Sequence, residues 1–142
     1  MVEKKFRLHR ALVLVLIVVD IGTSVLGVVW NSVPGASPST ERLYALHFVS
    51  ETRGFAVGEK NTIVGTPDAG LSWNNITSPV QDVGVTWRGL SFSEEGAEAW
   101  IVGSGGHIIS SSDGGFTWSA QSSGVTVTLY DVQVKGASVW SC

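Results

Sequence analysis

Cysteine is almost missing from this 142-residue chain: its single thiol, Cys142, is the last residue. One thiol closes no internal disulfide and builds no cysteine-based zinc cluster, so the fold has to hold by packing and hydrogen bonding. Positive charge is scarce too. Beyond residue 30 only Arg42, Arg53, Lys60, Arg88 and Lys135 are basic, against ten acidic residues. An acidic body is a poor match for phosphate backbones, which argues against nucleic acid as a partner. No amphipathic helical pattern occurs after residue 30. Nucleophile chemistry lacks its frame as well: no G-x-S-x-G elbow surrounds Ser110–Ser112. The run Gly103-Ser104-Gly105-Gly106 precedes no helix that could offer its N-terminus to a phosphate, and it reads as a hairpin turn. His47 and His107 have no third metal ligand spaced near them, and His9 belongs to the N-terminal segment. The residues therefore imply no cofactor and no metal site.

What is present begins with a long apolar run. Lys4, Lys5, Arg7 and Arg10 precede Ala11–Trp30, whose only charge is Asp20. Basic residues before Ala-Leu-Val-Leu-Val-Leu-Ile-Val-Val match the first two regions of an export signal. The run is also long enough to cross a bilayer as a helix. Two readings stay open for residues 1–30, a cleaved signal peptide or a retained membrane anchor through residues 11–30. Gly22/Ser24 or Val25/Gly27 offers small residues for cleavage, and Asp20 counts against a permanent span. Either reading places the body across a membrane from the cytoplasm, stroma or equivalent side. Residues 31–42, with two prolines and no periodicity, form a linker.

From Leu43 onward the sequence repeats. Leu46-His47-Phe48 returns as Leu90-Ser91-Phe92, and Phe55-Ala56-Val57-Gly58 as Trp100-Ile101-Val102-Gly103. Thr62-Ile63-Val64 returns as His107-Ile108-Ile109. A third copy starts at Leu129-Tyr130-Asp131-Val132 and ends with the chain. The offset of 44 to 45 residues lies in the range of propeller blades. Period-two alternation and glycine-rich turns predict four short strands per unit. The expected fold is all-β, a partial β-propeller of four-stranded antiparallel blades preceded by an N-terminal hydrophobic helix. The units are 43–86, 87–128 and the start of a third at 129–142.

The most specific signal is a pair of turns, Thr66-Pro67-Asp68-Ala69-Gly70-Leu71-Ser72-Trp73 and Ser111-Ser112-Asp113-Gly114-Gly115-Phe116-Thr117-Trp118. The carboxylate of Asp68 or Asp113 is suited to accept hydrogen bonds from N–H groups of its own turn. Gly70 and Gly115 provide positive φ at no Cβ cost, and Trp73 and Trp118 fill space between sheets. Because both aspartates hold the same place in successive units, folding is the simpler reading than catalysis or calcium binding.

These segments resemble Asp-box (BNR-type) repeats. The wider unit, aromatic-x-Val-Gly then an isoleucine strand then the box, resembles the photosystem II stability/assembly factor family over residues 43–142. The resemblance implies a seven-bladed propeller on the lumenal or periplasmic side of a membrane, docking on membrane-protein assembly intermediates. Two and a third units do not close a ring. The chain is thus expected either to be a piece of a longer propeller or to complete one by self-association.

The expected role is a non-enzymatic scaffold for subunits of a membrane-protein complex, by resemblance photosystem II. The alternative is an Asp-box carbohydrate-binding, glycosidase-like or sialidase-like fragment whose active residues lie elsewhere. A sialidase needs an arginine cluster, and a glycosidase needs two facing carboxylates. Here Glu94, Glu95 and Glu98 share one turn and read as solvated. Tyr44, Arg88 and Tyr130 are the candidate partner-binding residues, since tyrosine and arginine are enriched at interface hot spots. Asn75, in Asn75-Ile76-Thr77, is a glycosylation acceptor if the chain passes through a eukaryotic secretory route.

Overall fold

Alternating apolar residues in segments of four to six, separated by turns rich in glycine, serine and aspartate, leave little choice but antiparallel hairpins. The computed structural model describes residues 14–15, 31–32, 40–135 and 138–142. Its strands are β1 (Leu14–Val15), β2 (Asn31–Ser32), β3 (Leu43–Phe48), β4 (Gly54–Gly58), β5 (Ile63–Thr66) and β6 (Asn74–Asn75). They continue as β7 (Trp87–Phe92), β8 (Ala99–Gly103), β9 (Ile108–Ser111), β10 (Ser119–Gln121), β11 (Val132–Lys135) and β12 (Ser138–Ser141). Strands β3-β4-β5-β6 form one four-stranded antiparallel blade and β7-β8-β9-β10 a second, while β11 and β12 pair as a hairpin. The architecture is that of a partial propeller: β7 of the second blade packs against β3 and β4 of the first, and β11 packs against β7 and β8.

The pleat explains how one strand serves two neighbours. In β4, Phe55 and Val57 join the cluster between the blades, with Ile63, Trp87, Leu90, Phe92, Ile101, Ile109 and Trp118. Ala56, between them, points the other way and packs with Val64 and Trp73. In β8, Ala99 and Ile101 face the first blade, whereas Val102 packs with Leu129 and Val132 of the third unit. Alternation with period two thus builds one joint on each side of a blade. Trp87, Ile63, Ile101, Ile109 and Val57 are wholly buried. Each such side chain contributes about 1.5–3 kcal/mol relative to exposure.

A polar latch closes the joint between the blades. The turn from β4 to β5 holds Lys60 and Asn61 at φ 51° and 59°. From there the Asn61 side-chain amide donates to the Val80 carbonyl (2.6 Å), and its oxygen accepts from Trp87 Nε1 (2.9 Å). The Asn61 backbone N–H donates to the Val85 carbonyl (2.7 Å). Ring contacts add to it, with Phe55 and Phe92 centroids 5.0 Å apart and His47 stacked on Phe92 at 5.2 Å. His47, which alternation with Leu46 and Phe48 would turn outward, is therefore part of the joint, because a ring from the neighbouring blade meets its strand.

The helix expected over residues 11–30 lies mostly outside the described residues. At Leu14–Val15 the chain is extended and pairs with Asn31–Ser32, both of which fall in the expected linker. A run of Leu, Val and Ile carries β as well as helical propensity, and its composition alone does not separate the two. Among the described residues no helix is long and apolar enough to cross a membrane.

Candidate functional site

Both aspartate turns are built alike. In the first, Ser72 donates from its backbone N–H to Asp68 Oδ1 (2.8 Å) and from its hydroxyl to Oδ2 (2.6 Å), while Thr66 Oγ1 donates to Oδ1 (2.8 Å). In the second, Thr117 donates through its N–H (2.9 Å) and hydroxyl (2.6 Å), the Phe116 N–H adds 3.0 Å, and Ser111 Oγ adds 2.7 Å. The Thr66 and Ser111 hydroxyls also accept from the Gly70 and Gly115 N–H groups, each at 2.8 Å. Gly70 and Gly115 sit at φ 90° and 89°. Trp118 donates from Nε1 to the Gly115 carbonyl (3.1 Å), whereas the equivalent nitrogen of Trp73 is buried with no partner. The hydroxyl at the head of each turn was present in the sequence pattern, but only the structure gives it a task.

These bonds hold both carboxyls below the usual carboxylate range. For Asp68 the largest cause is the Ser72 hydroxyl, and for Asp113 it is the Thr117 hydroxyl. A carboxyl that ionises more easily in the folded chain adds stability above its unfolded pKa, near 3.8. That contribution is lost as pH falls through the lower folded value. Thermal unfolding is therefore expected to be flat from these two groups between pH 8 and 5, and to drop below about pH 4. Asp113→Asn is expected to lower stability at pH 7 and to shrink that acid drop, as read by circular dichroism melts across pH. With both carboxylate oxygens bonded inside the turn, Asp68 and Asp113 act as turn anchors.

A different set of residues gathers at the opposite end of the blades. The pairing of β3 with β4 skips a residue between Leu43 and Ala45, and that of β7 with β8 skips one between Trp87 and Gly89. The extra residues are Tyr44 and Arg88. A bulge of this kind re-aims a side chain, and bulges concentrate beside functional sites. The third unit repeats the arrangement at Tyr130: both the Tyr130 and Asp131 N–H groups donate to the Cys142 carbonyl, at 2.6 and 3.1 Å. Opposite the first two bulges stand Gly58 and Gly103, where a Cβ would lie 1.9 Å from the Arg42 carbonyl oxygen and 2.4 Å from that of Thr86. Glycine is required there by the close approach of the bulged backbone.

The two bulges and the start of the third unit bring Tyr44, Arg88 and Tyr130 together. The Arg88 guanidinium lies 4.1 Å from the Tyr44 ring centre and 6.0 Å from that of Tyr130. Arg88 Nε is buried with no hydrogen-bond partner. Tyr44 donates its hydroxyl to Glu59 Oε1 at 2.6 Å, and Arg42 stands 3.9 Å from the same oxygen. Tyr130 is 63% exposed, and Val83 and Val125, in the loops entering β7 and β11, are exposed nearby in sequence. Chemically this is a cation clamped between two aromatic faces, open to a partner. The sequence named the three residues singly; the bulges that unite them leave no mark in composition or period. Asn75, on the outer strand β6, is exposed beside a depression of about 350 Å³ lined also by Thr40, Glu41, Lys60 and Ile76. Glu94 and Glu95 are exposed in the β7–β8 turn. Among the described residues no group of three or more His, Cys, Asp or Glu could hold a metal ion.

The family model described as "Photosynthesis system II assembly factor YCF48" matches residues 24–127. The "Photosystem II assembly lipoprotein Ycf48" of Synechococcus sp. (strain CC9902) is 33% identical over 121 residues, covering 79% of this chain and 36% of that protein. The "Photosystem II stability/assembly factor HCF136, chloroplastic" of Arabidopsis thaliana is 32% identical over 68 residues, 47% of this chain and 17% of that protein. Among solved structures, "YCF48 bound to D1 peptide" superposes with a TM-score of 0.63 at 25% identity, over 70% of this chain and 32% of the other. "YCF48 from Cyanidioschyzon merolae" gives 0.62 at 25% identity, over 73% and 34%. The chain spans about a third of the length of the Synechococcus relative, and less of the Arabidopsis one. With the repeat, the twin aspartate turns and the family match in agreement, the chain belongs to the Ycf48 family of photosystem II assembly factors.

Proposed function

We propose that this chain is a non-catalytic docking unit for a photosystem II subunit, and that Tyr44, Arg88 and Tyr130 make the contact. The observation that carries this reading is the single cluster of side chains from three successive units, two of them delivered by matching bulges. A guanidinium flanked by rings binds an extended segment by stacking and by charge. The similarity to a protein solved with a D1 peptide supports a photosystem II subunit as the partner. The relatives' names, one a lipoprotein and one chloroplastic, support a body held at a membrane on the side away from the cytoplasm or stroma. Other blades, from a longer chain or from further copies, would complete the ring.

The test uses the D1 peptide of that complex, fluorescently labelled, in polarisation titrations. Wild type is expected to bind it, and Arg88→Ala to weaken binding by roughly 10- to 100-fold, the range of an interface hot spot. Circular dichroism would check that the variant keeps its fold. Equal affinity for the two proteins would remove Arg88 from the contact.

A further inference from the structure

The clamp is held from below by a residue that the docking reading does not use. Glu59 belongs to the same β4–β5 turn as Asn61, and its backbone is fixed twice: its N–H donates to the Arg42 carbonyl (2.9 Å), and its carbonyl accepts from Thr62 (3.0 Å). Two residues on, Asn61 ties the turn to Trp87, the residue immediately before Arg88. The turn therefore has a set position relative to the second blade. From it the Glu59 carboxylate accepts the Tyr44 hydroxyl at 2.6 Å, the length of a charge-assisted bond. A bulged tyrosine has no ladder neighbour to fix its ring, and this bond supplies the missing restraint.

Resting on the docking reading, we propose that Glu59 is a positioning residue: it holds the Tyr44 ring against the Arg88 guanidinium and so presets the clamp before any partner arrives. The Glu59 side chain is 30% exposed, enough to need no burial of an unpaired charge. Its second neighbour is Arg42, 3.9 Å away. The clamp thus offers the Arg88 guanidinium with a ring already in place. Preset geometry raises affinity by sparing the cost of ordering the side chains on binding.

Two readouts test this in the full chain. The first is the Arg88 Nε–Hε resonance in nitrogen-edited NMR, which senses the ring current of Tyr44. Glu59→Ala and Tyr44→Phe each remove the bond and are expected to shift that resonance toward the position of an unstacked arginine. Glu59→Gln, whose amide oxygen still accepts the hydroxyl, is expected to leave it near wild type. The second readout is affinity for the labelled D1 peptide, expected to fall about tenfold in Glu59→Ala and Tyr44→Phe and to be largely kept in Glu59→Gln. An unmoved Arg88 resonance in Glu59→Ala overturns the proposal whatever the peptide does. A peptide that fails to bind wild type removes the docking reading instead, and the resonance still decides the role of Glu59.

Discussion

Asn61→Ala is expected to destabilise the chain by about 3 kcal/mol, a buried-donor penalty plus the loss of a residue suited to its backbone. Truncation takes away the acceptor of Trp87 Nε1 and the donor to the Val80 carbonyl. Trp87 is 0% exposed, so its N–H has no route to water and carries the full cost of being unsatisfied. Alanine also tolerates φ 59° less well than asparagine does. A comparison separates the two causes: Asn61→Gly restores the backbone freedom but not the bonds. Urea titrations should place Asn61→Gly between wild type and Asn61→Ala. If Asn61→Ala unfolds at the same urea concentration as wild type, the latch is not what joins the blades.

Gly115→Ala is expected to cost at least as much, about 3 kcal/mol or more, from strain and overpacking together. The glycine sits at φ 89°, and a Cβ there would lie 2.6 Å from the tip of the Phe55 ring. Phe55 is in the joint, against Phe92 at 5.0 Å, and has no room to retreat. Gly124 gives the control. It too has positive φ, 72°, but a Cβ there meets nothing within 4 Å. Gly124→Ala should therefore show only the backbone term, about 1 kcal/mol. The difference between the two variants in denaturant midpoint measures the clash alone, and equal midpoints would mean that Phe55 yields freely.

The blades were legible because they depend on signals that lie along the chain. Alternation in Leu46-His47-Phe48 and the spacing of Trp73 and Trp118 are local patterns, and repetition doubles each of them. The aspartate turns were legible for the same reason, since every donor to Asp68 or Asp113 lies within four residues. What the sequence hid is what crosses between units. Asn61 reads as a turn residue, and its partners lie 19 to 26 residues away. His47 looks exposed by strand phase until Phe92, from the next blade, covers it. Tyr44, Arg88 and Tyr130 were named from residue type, but the bulges that gather them are a property of pairing, which composition does not record. Over residues 11–30 a long, largely apolar run fits two backbone states equally, so no pattern chooses between them.

The contact of Phe55 with Gly115 has a consequence for how such a protein is able to grow. Each of the first two units carries half of a joint on either side: an aromatic in its second strand and a bare glycine in its aspartate turn. Trp100 stands in the second unit where Phe55 stands in the first, and Gly70 stands where Gly115 does. An in-frame duplication of one unit therefore arrives with both halves already matched to its neighbours, and lengthening the array calls for no newly invented interface. Point changes at either half are another matter, since each needs a compensating change about sixty residues away in the adjoining unit. Inheritance in this architecture favours copying whole units over editing their edges.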